Sequence, residues 1–432
     1  MNKAFLFLLI LALVASTAKA LSDEKITGPY LIWQRCLGGS SDDIATSIHQ
    51  TSDGGYIVAG NTYSDDGDVS NKREGSDIWV VKLDSAGGID WQSTFGGSYD
   101  DFAQAILQTA DGGYIVAGYT FSDDGQVTGN NGGADYWVIK LDSTGGLVWE
   151  KCFGGSDDDY ATSIQQTDDE GYVVAGTTRS RDGDVSHNFG HSDFWVIRLD
   201  RTGNLIWERS LGGSSNDFAQ SVYKTADAGY VIAGLTRSTD GSVSGNKGEY
   251  DFWIVKLDAA GEFLWQNCLG GSFSDGAYSI QQTEDDGYIV AGYAYSDDGD
   301  VSRNNGGSDA WVVRLDSNGT MAWEKSIGGS ENDFAQSIIQ TDDGGFIAYC
   351  CTSSNEGDVR GSHGDYDFWL VKLDGEGGII WQKCFGGTAE DIAYCVQQTS
   401  DGGYVVAGYT FSDDGDVSGH RGRADFWVIK LK

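Results

Sequence analysis

All fourteen tryptophans of this chain lie on two ladders, Trp33, Trp91, Trp149, Trp207, Trp265, Trp323 and Trp381, and Trp79, Trp137, Trp195, Trp253, Trp311, Trp369 and Trp427. Both ladders step by 58 residues, so one unit has been copied seven times without an insertion or deletion. A repeat of this kind, built from short strand-like runs, constrains the chain to a ring or a stack of equivalent modules. Each module buries its apolar face against its neighbours.

Residues 161–211 show what one copy builds. Alternating, β-branched or aromatic segments predict strands at 161–167, 171–178, 193–199 and 205–211, labelled a to d. Asp-Gly-Gly turns such as Asp53-Gly54-Gly55 join a to b, where glycine accepts the positive φ of a tight hairpin. Turns of the form Asp-x-x-Gly, as in Asp200 to Gly203, join c to d. A longer connection through Ser-x-Asp/Glu-Gly-x-Val joins b to c. The unit is a four-stranded antiparallel meander. The last copy reaches Lys432 directly after its strand c, and a strand d without its own blade stands at residues 30–37, before the first strand a. Pairing the two removes the open edges that a linear array would expose. The expectation is an all-β, seven-bladed β-propeller of four-stranded blades, one domain over residues 21–432, its ring closed by the N-terminal strand.

The segment Trp137-Val138-Ile139-Lys140-Leu141-Asp142, followed by Gly145-Gly146-Leu147-Val148-Trp149, resembles the Leu-Asp-x-x-x-Gly-x-x-x-Trp repeat of pyrroloquinoline-quinone-type propellers. The whole unit resembles the Gly-Gly-Ser-x-x-Asp-x-Ala and Asp-Gly-Gly-Tyr-Ile-Val-Ala-Gly repeats of secreted bacterial and archaeal propeller proteins. The likeness spans residues 31–432 and implies the fold, while such a fold hosts many unrelated functions. A quinone-dependent dehydrogenase would need one blade with its own cofactor residues and insertions. Seven copies of equal length offer none.

Residues 1–20 read as a secretory signal peptide, with basic Lys3, an apolar run from Ala4 to Ala15 and an Ala18-Lys19-Ala20 cleavage site. The run is too short to span a bilayer comfortably, so a secreted or extracytoplasmic protein without membrane insertion is expected. Removing Lys3 and Lys19 from the 28 basic residues leaves 26 against 65 acidic, a net charge of −39. Such a surface repels nucleic acid and attracts cations. With 40% hydrophobic and 12% aromatic residues the acidity belongs to the surface of a packed protein, not to a disordered one. Of seven cysteines, Cys36, Cys152, Cys268 and Cys384 share one repeat slot that Thr94, Ser210 and Ser326 fill elsewhere, which excludes a disulfide framework. Cys350, Cys351 and Cys395 leave room for one bridge.

The b to c and d to a connections fall on one face of such a ring and carry most of the acid. Asp65, Asp66, Asp68, Asp297, Asp298, Asp300, Asp413, Asp414 and Asp416 cluster around glycine and are candidate calcium ligands, because a hard cation takes several oxygens. The twelve-residue calcium loop with its terminal glutamate is absent, and no other cofactor is implied. In blades 3 and 4 the acidic pattern is interrupted by Arg179, Arg181, Arg237 and Lys247, with His187, Phe189 and His191 in the same blade-3 loop. These seven are the candidate ligand-binding residues, of a type that holds a carboxylate or a sugar ring. The aspartates at 43, 101, 159, 217, 275, 333 and 391, and those at 77, 135, 193, 251, 309, 367 and 425, repeat too uniformly for catalysis and read as scaffold. No nucleophile elbow, phosphate-binding loop or paired-cysteine zinc motif is present. The expected function is an exported, monomeric, non-catalytic module that binds a cation, glycan or protein on its acidic loop face. A carbohydrate-active enzyme using loop carboxylates as acid and base is the alternative.

Overall fold

The computed structural model describes residues 28–432, so the signal-peptide reading of residues 1–20 lies outside the described residues. Every described element is a strand, and the strands form seven four-stranded antiparallel sheets. In blade 1 the strands are Asp43–Gln50 (a), Tyr56–Thr62 (b), Asp77–Leu83 (c) and Ile89–Phe95 (d). Blade 7 contributes Asp391–Gln398, Tyr404–Thr410 and Asp425–Leu431, and Leu31–Leu37 completes it by pairing with Asp425–Leu431. The ring is therefore a seven-bladed propeller closed by its N-terminal strand.

Strands a of neighbouring blades touch one another around the ring and line a central channel. Strands d form the outer wall, where residues such as Val148 and Leu264 face solvent. Strand c is buried throughout and strand b nearly so, as their runs of valine, isoleucine and aromatic residues require; Tyr119, Leu235 and Tyr293 of strand b are partly exposed.

Both tryptophan ladders hold blade to blade. The strand-c tryptophans are fully buried. In blade 4, Trp253 stacks against Phe194 of blade 3 with ring centroids 4.4 Å apart, and Trp427 stacks on Phe368 of blade 6 at 4.3 Å. Each strand-d tryptophan reaches forward to the aromatic residue opening strand b of the next blade, as Trp91 does to Tyr114 at 5.7 Å. The turn glycine of that next blade must be bare: a Cβ on Gly145, itself at φ +82°, would stand 2.6 Å from the Trp91 ring. Trp253→Ala should cost about 3–5 kcal/mol, because it empties a closed inter-blade site. Trp265→Ala, on the half-exposed ladder, should cost clearly less in the same denaturant titration.

The turn face is fixed by a buried cation in every strand c. The ammonium of Lys82 lies 3.1 Å from Asp53 of the Asp-Gly-Gly turn and donates to the Leu83 carbonyl at 3.0 Å. The Thr51 hydroxyl, the Gly55 N–H and Lys82 together hold the Asp53 carboxyl down at about 2.

One expectation is corrected, and one question the sequence left open is answered. Strand a begins earlier than its hydrophobic pattern implied, at Asp159 in blade 3, because Asp159 and Tyr160 pair with Thr178 and Thr177. The bridge left open among Cys350, Cys351 and Cys395 is not formed, and all seven cysteines are free. Cys350 and Cys351 are adjacent on one strand and point into different inter-blade cores.

Candidate functional site

The acidic loops are organised by their own backbone. In blade 1 the Gly38 carbonyl accepts from the Asp68 N–H at 3.0 Å, and the Ser40 N–H donates to Asp66 Oδ1 at 2.7 Å. The same clamp recurs where Ser272 N–H meets Asp298 at 2.7 Å and Thr388 N–H meets Asp414 at 2.8 Å. Thus the middle aspartate of each candidate calcium loop ties the b–c loop to the d–a loop. Asp65, Asp297 and Asp413 point to solvent. Asp68 pairs with Arg421 at 2.8 Å, Asp300 with Lys247, and Asp416 accepts from the Gly386 N–H at 3.4 Å. Among the described residues no three histidine, cysteine or acidic side chains converge as metal ligands.

The basic and aromatic candidates are spread over the same face. Arg179 pairs with Asp158 at 3.2 Å and lies over the Tyr160 ring at 6.0 Å. Arg237 lies over Tyr250 at 6.0 Å. Arg181 donates to the Gly190 carbonyl at 2.7 Å, and His187 packs beside exposed Phe189 at 5.9 Å. The His191 N–H donates to the Ser215 carbonyl at 3.3 Å. Lys247 turns toward blade 5 through Asp300. Arg179 and Arg237 thus pack on tyrosine rings, while the other five stand in the b–c loops.

At every junction between blades two buried aspartates face each other across a glycine. Between blades 2 and 3, a Cβ on Gly154 would lie 2.3 Å from Asp135 Oδ1 and 2.6 Å from Asp159 Oδ2. Asp159 is well provided, accepting from Gly155 N–H at 2.9 Å and from the Ser180 hydroxyl at 2.7 Å. Asp135 accepts only the Asn131 N–H, at 2.8 Å on Oδ2, and its Oδ1 has no partner among the described residues. The same orphan oxygen recurs in Asp77, Asp193, Asp251, Asp309, Asp367 and Asp425. Burial, aided by the facing carboxylate, pushes Asp135 and Asp193 up to about 7 and Asp251, Asp309 and Asp425 up to about 6. The uniform aspartates are thus buried, and burial raises their carboxyls.

A concave feature at the centre of the loop face is the upper mouth of the channel, a cavity of about 360 Å³ to which all seven blades contribute. Its wall carries the rings of Phe102, Tyr119, Tyr278 and Tyr394, the amides of Gln104, Gln220 and Gln336, and Ile44, Thr46, Asn61 and Thr162. No charged side chain lines it. A β-bulge in each strand a, between Ala45 and Ser47 in blade 1, turns the channel-facing side of the strand. Above the bulge Ile44 and Thr46 face the channel, and below it Ser47 and His49 do.

Behind the wall stands an aromatic collar. Tyr119 contacts Phe102 at 5.0 Å and Tyr160 at 4.9 Å, and Tyr293 contacts Tyr278 at 5.4 Å and Phe334 at 5.7 Å. Burial raises the Tyr119 and Tyr394 hydroxyls to about 12, so both stay neutral donors. Sequence reasoning missed this site because it looked for variation in loops. The signal was inside strand a, where the fourth residue reads Thr46, Gln104, Thr162, Gln220, Tyr278, Gln336 and Tyr394 while Asp and Ala around it repeat in all seven copies.

No family model matches the chain. The regulatory protein FlaEY of Caulobacter vibrioides is 26% identical over 212 residues, 45% of this chain, and the match spans 22% of that protein. Among solved structures, the Pan2 WD40 domain of Neurospora crassa superposes with a TM-score of 0.50 at 11% identity, covering 92% of this chain and 95% of that one. Puromycin hydrolase gives a TM-score of 0.51 at 11% identity, over 89% of this chain and 53% of that enzyme. At such identities the structural likeness shows the fold.

Proposed function

We propose that the protein is an exported, non-catalytic binding module whose ligand enters the channel mouth on the loop face. The observation that carries this reading is the mouth itself: a concave, uncharged wall to which every blade contributes and whose threonines, glutamines and tyrosines break the sevenfold repeat, on a surface otherwise acidic and repetitive. Framework positions that repeat sevenfold serve the ring, and positions that break the repeat are free to serve a ligand. The partial similarity to FlaEY, a regulatory protein, is in keeping with an interaction role.

The enzymatic alternative needs two carboxylates flanking a substrate cleft. The mouth wall carries none, and the paired aspartates at the junctions are buried. Incubation with a panel of polysaccharides should therefore release no oligosaccharide. Release that disappears in Asp158→Asn or Glu390→Gln, acids of the surrounding d–a loops, would replace the binding module with a hydrolase.

A further inference from the structure

We infer that the channel mouth takes a neutral carbohydrate, its sugar rings lying against the tyrosines of blades 5 and 7 with the Gln336 amide between them. This deepens the binding-module reading and rests on it. Charge decides first. A chain with a formal net charge of −37 lines this cavity with no ionic group, so an anionic ligand meets repulsion from the surrounding acids and a cationic one finds no carboxylate inside. A neutral ligand meets neither penalty.

The polar groups decide next. Thr46 and Thr162 are already spent: Thr46 donates between the Ala59 and Ala103 carbonyls at 3.2 and 3.0 Å, and Thr162 does the same to Ala175 and Ala219 at 3.1 and 3.0 Å. Asn61 accepts the Ala103 N–H at 2.8 Å. By contrast Gln104, Gln220 and Gln336 form no hydrogen bond to the protein among the described residues, although all three are half-buried in the wall. A carboxamide offers two donors and an acceptor, which suits hydroxyl groups that each donate and accept. Aromatic faces beside such amides bury the C–H face of a sugar ring while the amides take its hydroxyls.

Ring order then gives the mouth a preferred side. The fourth residue of strand a is threonine in blades 1 and 3, glutamine in 2, 4 and 6, and tyrosine in 5 and 7. Gln336 of blade 6 is thus flanked by Tyr278 and Tyr394. The opposite side of the mouth has threonines at blades 1 and 3, already bonded to backbone. The ring is nearly sevenfold, but at this level of strand a only one side of the mouth places tyrosines on both flanks of a free amide, while Phe102 and Tyr119 of blade 2 line the other side.

The same column supplies conservative test variants, because threonine at this position is accommodated in two blades. Gln336→Thr should retain the wild-type melting midpoint, whereas Tyr278→Thr and Tyr394→Thr, which give up ring contacts to Tyr293 and Tyr409, should stay folded with a lowered midpoint. The wild-type protein and these variants are applied to an array of neutral glycans, anionic glycans and peptides, and hits are titrated by calorimetry. Neutral glycans are expected to bind, with affinity falling at least about tenfold in each variant, a loss of about 1.4 kcal/mol. Peptides or anionic glycans bound in their place, and lost in the same variants, would overturn the carbohydrate assignment and leave the mouth as the ligand site. Binding that is indifferent to all three variants would remove the mouth from the function altogether. No binding by any array member at millimolar concentration would also overturn the inference.

Discussion

Deletion of residues 30–37 is expected to abolish the monomeric ring. The strand Leu31–Leu37 pairs along the whole of Asp425–Leu431, with Gln34 opposite Ile429 and Cys36 opposite Trp427, and Tyr30 exchanges backbone hydrogen bonds with Lys432 at 2.8 and 3.0 Å. It also grips blade 1. The Trp33 ring packs on Tyr56 at 5.6 Å, and the Arg35 guanidinium donates to the carbonyls of Gly87 and Ala86 at 3.0 and 2.9 Å. Removing it exposes the edge of a strand that is buried along its length and leaves the indole N–H of Trp427 without its Gln34 acceptor. An unpaired apolar edge of seven residues is a template for pairing with another chain. Size exclusion should show oligomers or loss of soluble protein, and a peptide spanning residues 28–37 added in trans should restore the monomer. A soluble monomer with an unchanged melting midpoint would show that the ring does not depend on its closing strand.

The repeat made the architecture legible because the tryptophans, the turn glycines and the strand c and d patterns all follow local chemistry. Strands c and d of blade 3 were readable to their ends, 193–199 and 205–211. Strand a was not, for two physical reasons. Its first residue is an aspartate, a poor strand former, held there by a hydrogen bond from its own N–H to the Ala134 carbonyl of the preceding blade. Its bulge then breaks the alternation that assigns faces, so that Ala161 and Ile164, three residues apart, both enter the core. A simple two-residue period therefore misplaces the channel lining. The loop acids carry a role the sequence did not show: Asp66, Asp298 and Asp414 accept the N–H groups of Ser40, Ser272 and Thr388 and so tie two loops together. Composition cannot tell a carboxylate that awaits a metal from one that closes a turn.

The buried aspartate pairs invert the usual dependence of stability on pH. A carboxyl raised above its unfolded value keeps its proton in the native state over a range where the unfolded chain has already released it. Between about pH 4 and 7, then, the native ring binds more protons, and stability must fall as pH rises. Each such proton contributes about 1.4 kcal/mol per pH unit within that window. The motif occurs seven times, so the effect should be steep: the melting midpoint should be clearly higher at pH 5 than at pH 8. Carboxyls held low, such as Asp53 at about 2, act in the opposite sense. Their stabilisation is present above pH 4 and lost as pH falls toward 2, which closes the stable range on the acid side.

Two substitutions at one junction separate this mechanism from generic charge reduction. Asp135→Asn keeps an acceptor for the Asn131 N–H, removes the titrating proton and offers an amide N–H to Asp159. It should raise stability at pH 8 by about 1 kcal/mol and shrink the difference between pH 5 and pH 8. Asp159→Asn removes the same charge but turns an amide in place of one oxygen toward the donors Gly155 N–H and Ser180 O–H, and it should destabilise the ring at both pH values. If both variants shifted the midpoint equally, net charge alone would account for the pH dependence and the buried proton of Asp135 would be ruled out as its source.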